Sequence, residues 1–576
     1  MVKFNVYILP FFIAYDFSLQ LLASYMLFAL SKRVSIFLIN QTLIMGILYV
    51  GNAVKISFFG SPITPADVFT LPSLLLILEG WKFLATAIPL VAVAILVIFN
   101  FSMRHWSAYL ASLGTVLLTM TVVYQPTIIL EPIDKYTFNA EWNQTINYML
   151  HGATLYSLQE TARFFALADT PPSIDTAQAA ANRLLSGAIE PIANDKPFTP
   201  RNIHIILLES FWDANTLKNA GYNQDPLSPE FRNLWESTGY SHALTSVFGG
   251  YTANSEFEML CGFPVTDDKV KFVRQLVNEA PCLPYILANK GYKTVASHPN
   301  VPKFWNRVHA YHNVGFQTYW AKDDFVLDDM NRNMLADSSL YGQVLEKLSD
   351  TLDKKQPILD YIVTYFGHED YPLNASRPNK ITSTSKVEEV TSYANTIYYK
   401  SRELITFIEQ LRKRDPDSII VMFGDHLPFL GGNFAGYVES SVLTSNSGNF
   451  SADMFKIYVS TPLVIIDGQK GALSVGYLPL YQVPKLLLKL LNYNESSIMD
   501  YTMPLSDKRI RPLPSLHFIL SKEGDIELCK EPPFSKSCQV SSRWLQDVLV
   551  VSNDLFIGQQ FTRPKHPVSE PVHLAK

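Results

Sequence analysis

Apolar positions are crowded into the first part of the chain. After about residue 130 they thin into short runs separated by segments with helical spacing. The stretches 6–30, 36–54, 83–101 and 108–124 each approach the ~20 residues that a helix needs to cross a bilayer. They predict a transmembrane part of about four spans. Asp16, inside the first stretch, is costly in lipid and is expected to face other helices or an interface. A secretory signal peptide is the competing reading of that stretch, but no small-residue cleavage site follows it cleanly. The apolar run 71–78 is too short to span and is expected to lie at the interface or to re-enter.

Beyond the spans, residues 144–167 read as an amphipathic helix and 175–185 as an alanine-rich one. Strand and helix signals then alternate. Strands are expected at 202–208, 292–296, 358–364, 418–423 and 462–466, and helices at 229–238, 282–290, 335–352, 387–414 and 478–491. This alternation predicts an α/β sandwich with a largely parallel central sheet. The tail from about Pro512 is expected to add a small subdomain of a few antiparallel strands. The expected organisation is a transmembrane domain at 1–125, a helical connector at 126–200, an α/β catalytic domain at 201–511 and a C-terminal subdomain at 512–576.

Charge and cysteine content narrow the picture. A net charge of −5 over 576 residues gives no reason to expect a nucleic-acid partner. Lys32 and Arg33 lie between the first two spans, and Arg104 and His105 between the last two. The positive-inside rule places both loops in the cytoplasm, and an even number of spans then leaves everything after Tyr124 outside. All four cysteines, Cys261, Cys282, Cys529 and Cys538, follow the last span. Proximity favours the pairs Cys261–Cys282 and Cys529–Cys538 in an oxidising compartment, against four unrelated buried thiols.

Chemistry-bearing residues recur where hydrophobic runs end. Glu209 follows Ile203–Leu208, His368 follows the run at 361–367, and Asp425 and His426 follow the run at 419–424. Open α/β sheets gather ligands at such strand ends. Taken singly, Glu209 reads more readily as a neighbour of a helix cap, and His368 more readily as a structural histidine. Thr252 follows two glycines that allow a tight turn and opens a helical segment. It is either an N-cap or a hydroxyl activated as a nucleophile. Trp305 and Arg307 offer a flat aromatic surface and a guanidinium fork suited to phosphate. Together, a carboxylate, a hydroxyl, an aspartate and a histidine can form one divalent-metal site with a nucleophile in it.

The motifs Leu208-Glu209-Ser210, the segment 248–258, Phe304-Trp305-Asn306-Arg307 and Phe423-Gly424-Asp425-His426 resemble those of the lipoteichoic acid synthase and periplasmic phosphoglycerol transferase branch of the alkaline phosphatase/sulfatase superfamily. They stand in the family's order and spacing. The cysteine positions look more like the Gram-negative members, and four spans depart from the five usual in the Gram-positive enzymes. The resemblance implies that Glu209, Thr252, Asp425 and His426 bind one divalent metal, Mn²⁺, with Mg²⁺ and Zn²⁺ as alternatives. It implies that Thr252 is the nucleophile, and that Trp305, Arg307 and His368 hold the glycerophosphate group. His368 is also a candidate catalytic acid.

The expected enzyme is a metal-dependent phosphotransferase embedded in the bacterial inner membrane, multi-pass, with its catalytic domain facing the periplasm. It would move glycerophosphate from phosphatidylglycerol, through a phospho-threonine intermediate, to a glycan or glycolipid acceptor. The rival readings are a phosphoethanolamine transferase or other phosphodiesterase/sulfatase-like hydrolase, and a non-catalytic membrane scaffold.

Overall fold

The computed structural model describes residues 8, 12–59, 61–78, 80–137, 144–166, 171–187, 196–267, 269–503, 508–514, 516–521, 524–530 and 533–564. One compact unit runs to Thr170 and a second begins at Pro171.

The first unit is helical: α1 (Ile13–Ala29), α2 (Val34–Phe59), α3 (Ala66–Ile77), α4 (Gly80–Asn100), α5 (Trp106–Tyr124), α6 (Thr127–Tyr136), α7 (Gln144–His151) and α8 (Ala153–Ala166). Among the described residues three helices, within α2, α4 and α5, are long and apolar enough to cross a membrane. The sequence predicts a fourth at 6–30, but α1 has 17 residues, and the start of that stretch lies largely outside the described residues. The loops after α1 and after α4 meet at one end of this unit. Asn100 accepts from Arg33 N at 2.7 Å and donates to Arg33 O at 3.1 Å, and Ser102 N donates to Leu30 O.

Two polar residues organise this apolar unit. Asp16 is buried, and its Oδ1 accepts from the backbone of Thr154 and Leu155 at 2.8 and 2.9 Å, capping the start of α8. A carboxylate among apolar helices thereby gains the donors it needs. Gly152 breaks what the sequence presents as one helix over 144–167. Its φ is +80°, and a Cβ there would lie 2.4 Å from Asp16 Cγ. Asp67 receives Lys55 Nζ at 2.7 Å and Thr64 N at 2.6 Å, which folds the proline-rich connection before α3 into a closed turn.

The second unit is built on a nine-stranded sheet. Its strands are β1 (Ile203–Leu208), β2 (His242–Leu244), β3 (Lys293–Ser297), β4 (Thr318–Trp320), β7 (Ile358–Val363), β8 (Ile419–Gly424), β9 (Ser460–Asp467), β10 (Gly471–Ala472) and β11 (Tyr477–Pro479). The short pair β5 (Met330–Asn331) and β6 (Met334–Leu335) stands apart. The order is β11-β2-β9-β8-β1-β7-β3-β4, with β10 on β9. The run β8-β1-β7-β3-β4 is parallel, and β9 is antiparallel to its neighbours. Ile203, Ile205 and Leu207 enter one core with Phe257, Leu287, Leu487 and Val551. The alternate residues Ile206, Ile362 and Ile420 are sealed as well. A parallel sheet covered on both faces reads in sequence as unbroken apolar runs, which is how these strands were legible.

Three antiparallel strands follow: β12 (Arg509–Leu513), β13 (Leu516–Leu520) and β14 (Ile526–Lys530). The sequence reading expects such strands but not the 21-residue helix Lys536–Phe556 after them, whose Trp544, Val548, Val551 and Leu555 join the main core. The helix expected at 478–491 starts later, at Val483, because 477–479 pair with β2. The cysteines form Cys261–Cys282 and Cys529–Cys538, with Cα atoms 4.3 and 5.3 Å apart.

Candidate metal centre and its surroundings

Because β1, β7 and β8 run parallel, their C-terminal ends lie side by side. The register pairs Leu208 with Gly424 and Leu207 with both Val363 and Phe423. Glu209 follows β1, and Asp425 and His426 follow β8. A Cβ on Gly424 would meet Phe211 O at 2.0 Å, so the close approach of the turn after β1 requires glycine there. Ser210 is held in the left-handed region at φ 53°, and its N–H donates to Asp425 Oδ1 at 2.8 Å.

Thr252 reaches the same place from another direction. Phe248 bridges to Leu427, and Gly249 N donates to Leu427 O. Gly249 and Tyr251 both have φ 63°. These turns deliver Thr252 as the first residue of the helix Thr252–Cys261, every residue of which is buried. Ser255 Oγ donates to Asp425 O at 2.7 Å and fixes the helix against the end of β8. Thr252 Oγ1 donates to Glu209 Oε2 at 3.4 Å.

Ligand atoms of Glu209, Asp425 and His426 all lie within 4.8 Å of one another. His426 Nδ1 hydrogen-bonds Leu427 O at 2.9 Å, which turns Nε2 toward the carboxylates. Nε2 stands 3.2 Å from Asp425 Oδ2 and 3.6 Å from Glu209 Oε1. Asp425 Oδ2 and His426 Nε2 are buried without a hydrogen-bond partner. Burial and the neighbouring Glu209 charge push the Asp425 carboxyl up to about 7. Burial also works against ionised Glu209, but the charges of His368 and His426 outweigh it and hold that carboxyl below its usual range. Two sealed carboxylates beside an imidazole, with unsatisfied atoms facing one another, have the donor set that a divalent cation satisfies. The residues fit a metal.

The remaining candidates form a neighbouring group. Half-buried His368 packs its ring edge on Tyr365, 5.8 Å between centroids. Trp305, with φ 56°, stacks on Tyr251 at 5.9 Å. Arg307 is 1% exposed, and its Nε and Nη2 both donate to Glu256 Oε1, at 3.0 and 2.7 Å. Its Nη1 donates to Phe304 O at 3.4 Å, so all three guanidinium nitrogens are already committed within the protein.

The sequence reading missed His298, immediately after β3. Its Nδ1 hydrogen-bonds Val363 O at 3.0 Å. Burial and the Arg307 charge hold its pKa well below the ordinary histidine value, with a smaller push from His368. The signal was available, since Ser297-His298 ends a predicted strand as Asp425-His426 does. Glu209 thus feels the charge of His368, and His298 feels those of Arg307 and His368.

A parallel α/β sheet with a cation-type cluster and a buried threonine at its strand ends defines a metal-site α/β domain suited to phosphoryl or sulfuryl chemistry. This chain matches the family described as Sulfatase over residues 201–468, a little under half of its length. It is 28% identical over 280 residues to a putative cyclic beta-1,2-glucan modification protein of Rhizobium meliloti, covering 47% of this chain and 42% of that protein. It is 26% identical over 293 residues to lipoteichoic acid synthase 1 of Bacillus subtilis, covering 49% and 44% respectively. The chain thus matches less than half the length of either relative. The fold is shared with the crystal structure of a protein in the alkaline phosphatase superfamily from Vibrio parahaemolyticus. The TM-score is 0.50 at 15% identity, over 68% of this chain and 97% of that one.

Proposed function

We propose that this chain is a membrane-anchored, metal-dependent phosphoglycerol transferase working through a phospho-threonine intermediate. The observation that carries the reading is the Thr252 hydroxyl 3.4 Å from Glu209, within the Glu209–Asp425–His426 cluster. Glu209, Thr252, Asp425 and His426 would hold the cation, Mn²⁺ in our reading, with Mg²⁺ and Zn²⁺ as alternatives. When bound, the cation supplies charge neutralisation and a lowered hydroxyl pKa.

The hydrogen bond from Thr252 to Glu209 orients the hydroxyl proton toward the carboxylate and leaves an oxygen lone pair for attack. Thr252 Oγ bonds to the phosphorus of phosphatidylglycerol as the bond to the diacylglycerol oxygen breaks, and His368 gives that oxygen its proton. The Thr252 proton leaves to solvent in that step; an acceptor hydroxyl then displaces Thr252 while giving its proton to His368, and the freed Thr252 oxygen regains a proton from solvent. Trp305 and Arg307, with His368, would flank the glycerophosphate group.

The three long apolar helices support membrane anchoring. The joined loops carrying Lys32, Arg33 and Arg104 would face the cytoplasm, and the catalytic domain the periplasm of the inner membrane. Two disulfides accord with that oxidising side. The similarity to a glucan-modification protein favours a periplasmic glycan acceptor over a glycolipid.

Incubation with labelled phosphatidylglycerol, and in parallel with phosphatidylethanolamine, tests the reading. Diacylglycerol release and glycerophosphate mass on Thr252 are expected with the first lipid only. Turnover of phosphatidylethanolamine alone would make the chain a phosphoethanolamine transferase, and turnover of neither lipid would reject the donor chemistry.

A further inference from the structure

The helix Glu388–Arg414 turns a buried stripe to the sheet: Tyr393, Ile397, Lys400, Leu404, Phe407 and Leu411. One member of that stripe is charged. Lys400 is 1% exposed, and its ammonium donates to Asp337 Oδ2 at 2.7 Å, to Thr364 Oγ1 at 3.2 Å and to Phe366 O. These three acceptors use all three of its protons.

Two of them lead to the candidate centre. Thr364 Oγ1 also accepts the backbone N–H of Glu209 at 2.9 Å. Phe366 O belongs to the turn that carries His368. Within that turn Gly367 has φ +100°. A Cβ there would lie 2.9 Å from Lys400 Cδ and 3.3 Å from Glu209 O, so the turn, the lysine stem and Glu209 are in direct contact. Seven residues earlier, two turns along the same helix, the Tyr393 hydroxyl accepts from Trp212 N at 2.8 Å and lies 2.8 Å from Ser210 O. One helix thus holds Glu209 through Thr364, and Ser210 and Trp212 just after it directly.

We propose that Lys400 is the positioning residue that sets Glu209 and His368 relative to one another, by tying the turn after β7 to the end of β1. It touches no reacting atom and acts through Thr364 and the 366–368 backbone. The proposal rests on the reading of Glu209 as a metal ligand. Supporting side chains of ligands typically govern ~10–100-fold in metal affinity.

The experiment uses the full chain in detergent and compares wild type, Lys400→Met, the double variant Asp337→Asn/Lys400→Met, and Glu209→Gln. Mn²⁺ affinity is read by calorimetry, the stability of the metal-free protein by denaturant, and KM and kcat with phosphatidylglycerol. Lys400→Met strands the Asp337 charge, so it loses stability for a trivial reason. The double variant removes both charges and is expected to recover most of that stability. It is nonetheless expected to bind Mn²⁺ at least about tenfold more weakly and to show a raised KM. A double variant within twofold of wild type in Mn²⁺ affinity and KM would reduce Lys400 to a packing partner and overturn the proposal. Wild type and Glu209→Gln binding Mn²⁺ equally well would instead remove the ligand assignment, and the proposal with it.

Discussion

Arg511 places Nη1 and Nη2 on the two carboxylate oxygens of Glu258, at 2.8 and 2.6 Å, with both side chains fully sealed from water. Glu258 lies on the helix that begins with Thr252, and Arg511 on β12. The small C-terminal sheet is therefore bolted to the helix that presents the proposed nucleophile. Removing one member of a buried pair leaves the other uncompensated, at a cost of about 3–5 kcal/mol. Arg511→Met is expected to lose that much in urea denaturation, and Glu258→Gln/Arg511→Met to lose clearly less. Equal losses would mean that the charge pairing is not what matters at this position.

Metal should act as a stabiliser as well as a cofactor. A cation that binds only the folded chain, present at a hundredfold excess over its Kd, adds about 2.7 kcal/mol. That gain should appear as a rise in melting temperature that chelator reverses. Asp425→Asn should abolish it without harming the metal-free protein. The asparagine Oδ1 can still accept from Ser210 N and His426 N, and a sealed carboxylate is removed. A metal-induced rise that survives Asp425→Asn would place the cation elsewhere.

His204 gives a pH dependence far from the candidate centre, toward the opposite end of β1. Burial disfavours its charged form, but hydrogen bonds to Asp360 at 2.9 Å and Asp415 at 3.1 Å more than offset this and raise its pKa to about 9. The unfolded value is ~6.5, so the folded state holds the proton more tightly. The associated stability is fully present below pH ~6.5 and is lost as pH rises through about 9, on the order of 3 kcal/mol in total. Denaturation at pH 6 and pH 9.5 should show the fall, and His204→Gln should flatten it. An unchanged slope in that variant would exonerate this histidine.

The Cys261–Cys282 bond closes a loop across a sequence separation of 21. Constraining such a loop in the unfolded chain is worth about 3 kcal/mol. Cys261→Ala/Cys282→Ala should lose roughly this amount under oxidising conditions, and reductant should then cost it only what opening Cys529–Cys538 costs. A variant as stable as the oxidised wild type would show that packing alone holds the segment.

The sequence exposed the sheet and the cluster for one shared reason. Strands buried on both faces appear as continuous apolar runs, and residues such as Glu209 and Asp425 interrupt them abruptly. What it concealed depended on distant partners. The break at Gly152 is invisible in the periodicity of 144–167 because its cause, Asp16, lies 138 positions before Thr154. Lys400 reads as a solvent-facing charge until Asp337 and Thr364 are brought beneath it. The helix Lys536–Phe556 was legible in the spacing of Trp544, Val548, Val551 and Leu555, but its many polar residues between them mask the stripe.

That last helix also governs when the second unit can become whole. Arg183, near the unit's beginning, grips Asp547 through two hydrogen bonds of 2.9 and 2.6 Å across a sequence separation of 364. Ala180 and Leu184 share their core with Val548 and Val551. Such a closure is available only after the ribosome has made the chain through Asp547. The segment around Arg183 must therefore wait, unpaired, for a mate made much later, and agents that guard nascent chains have a long task there.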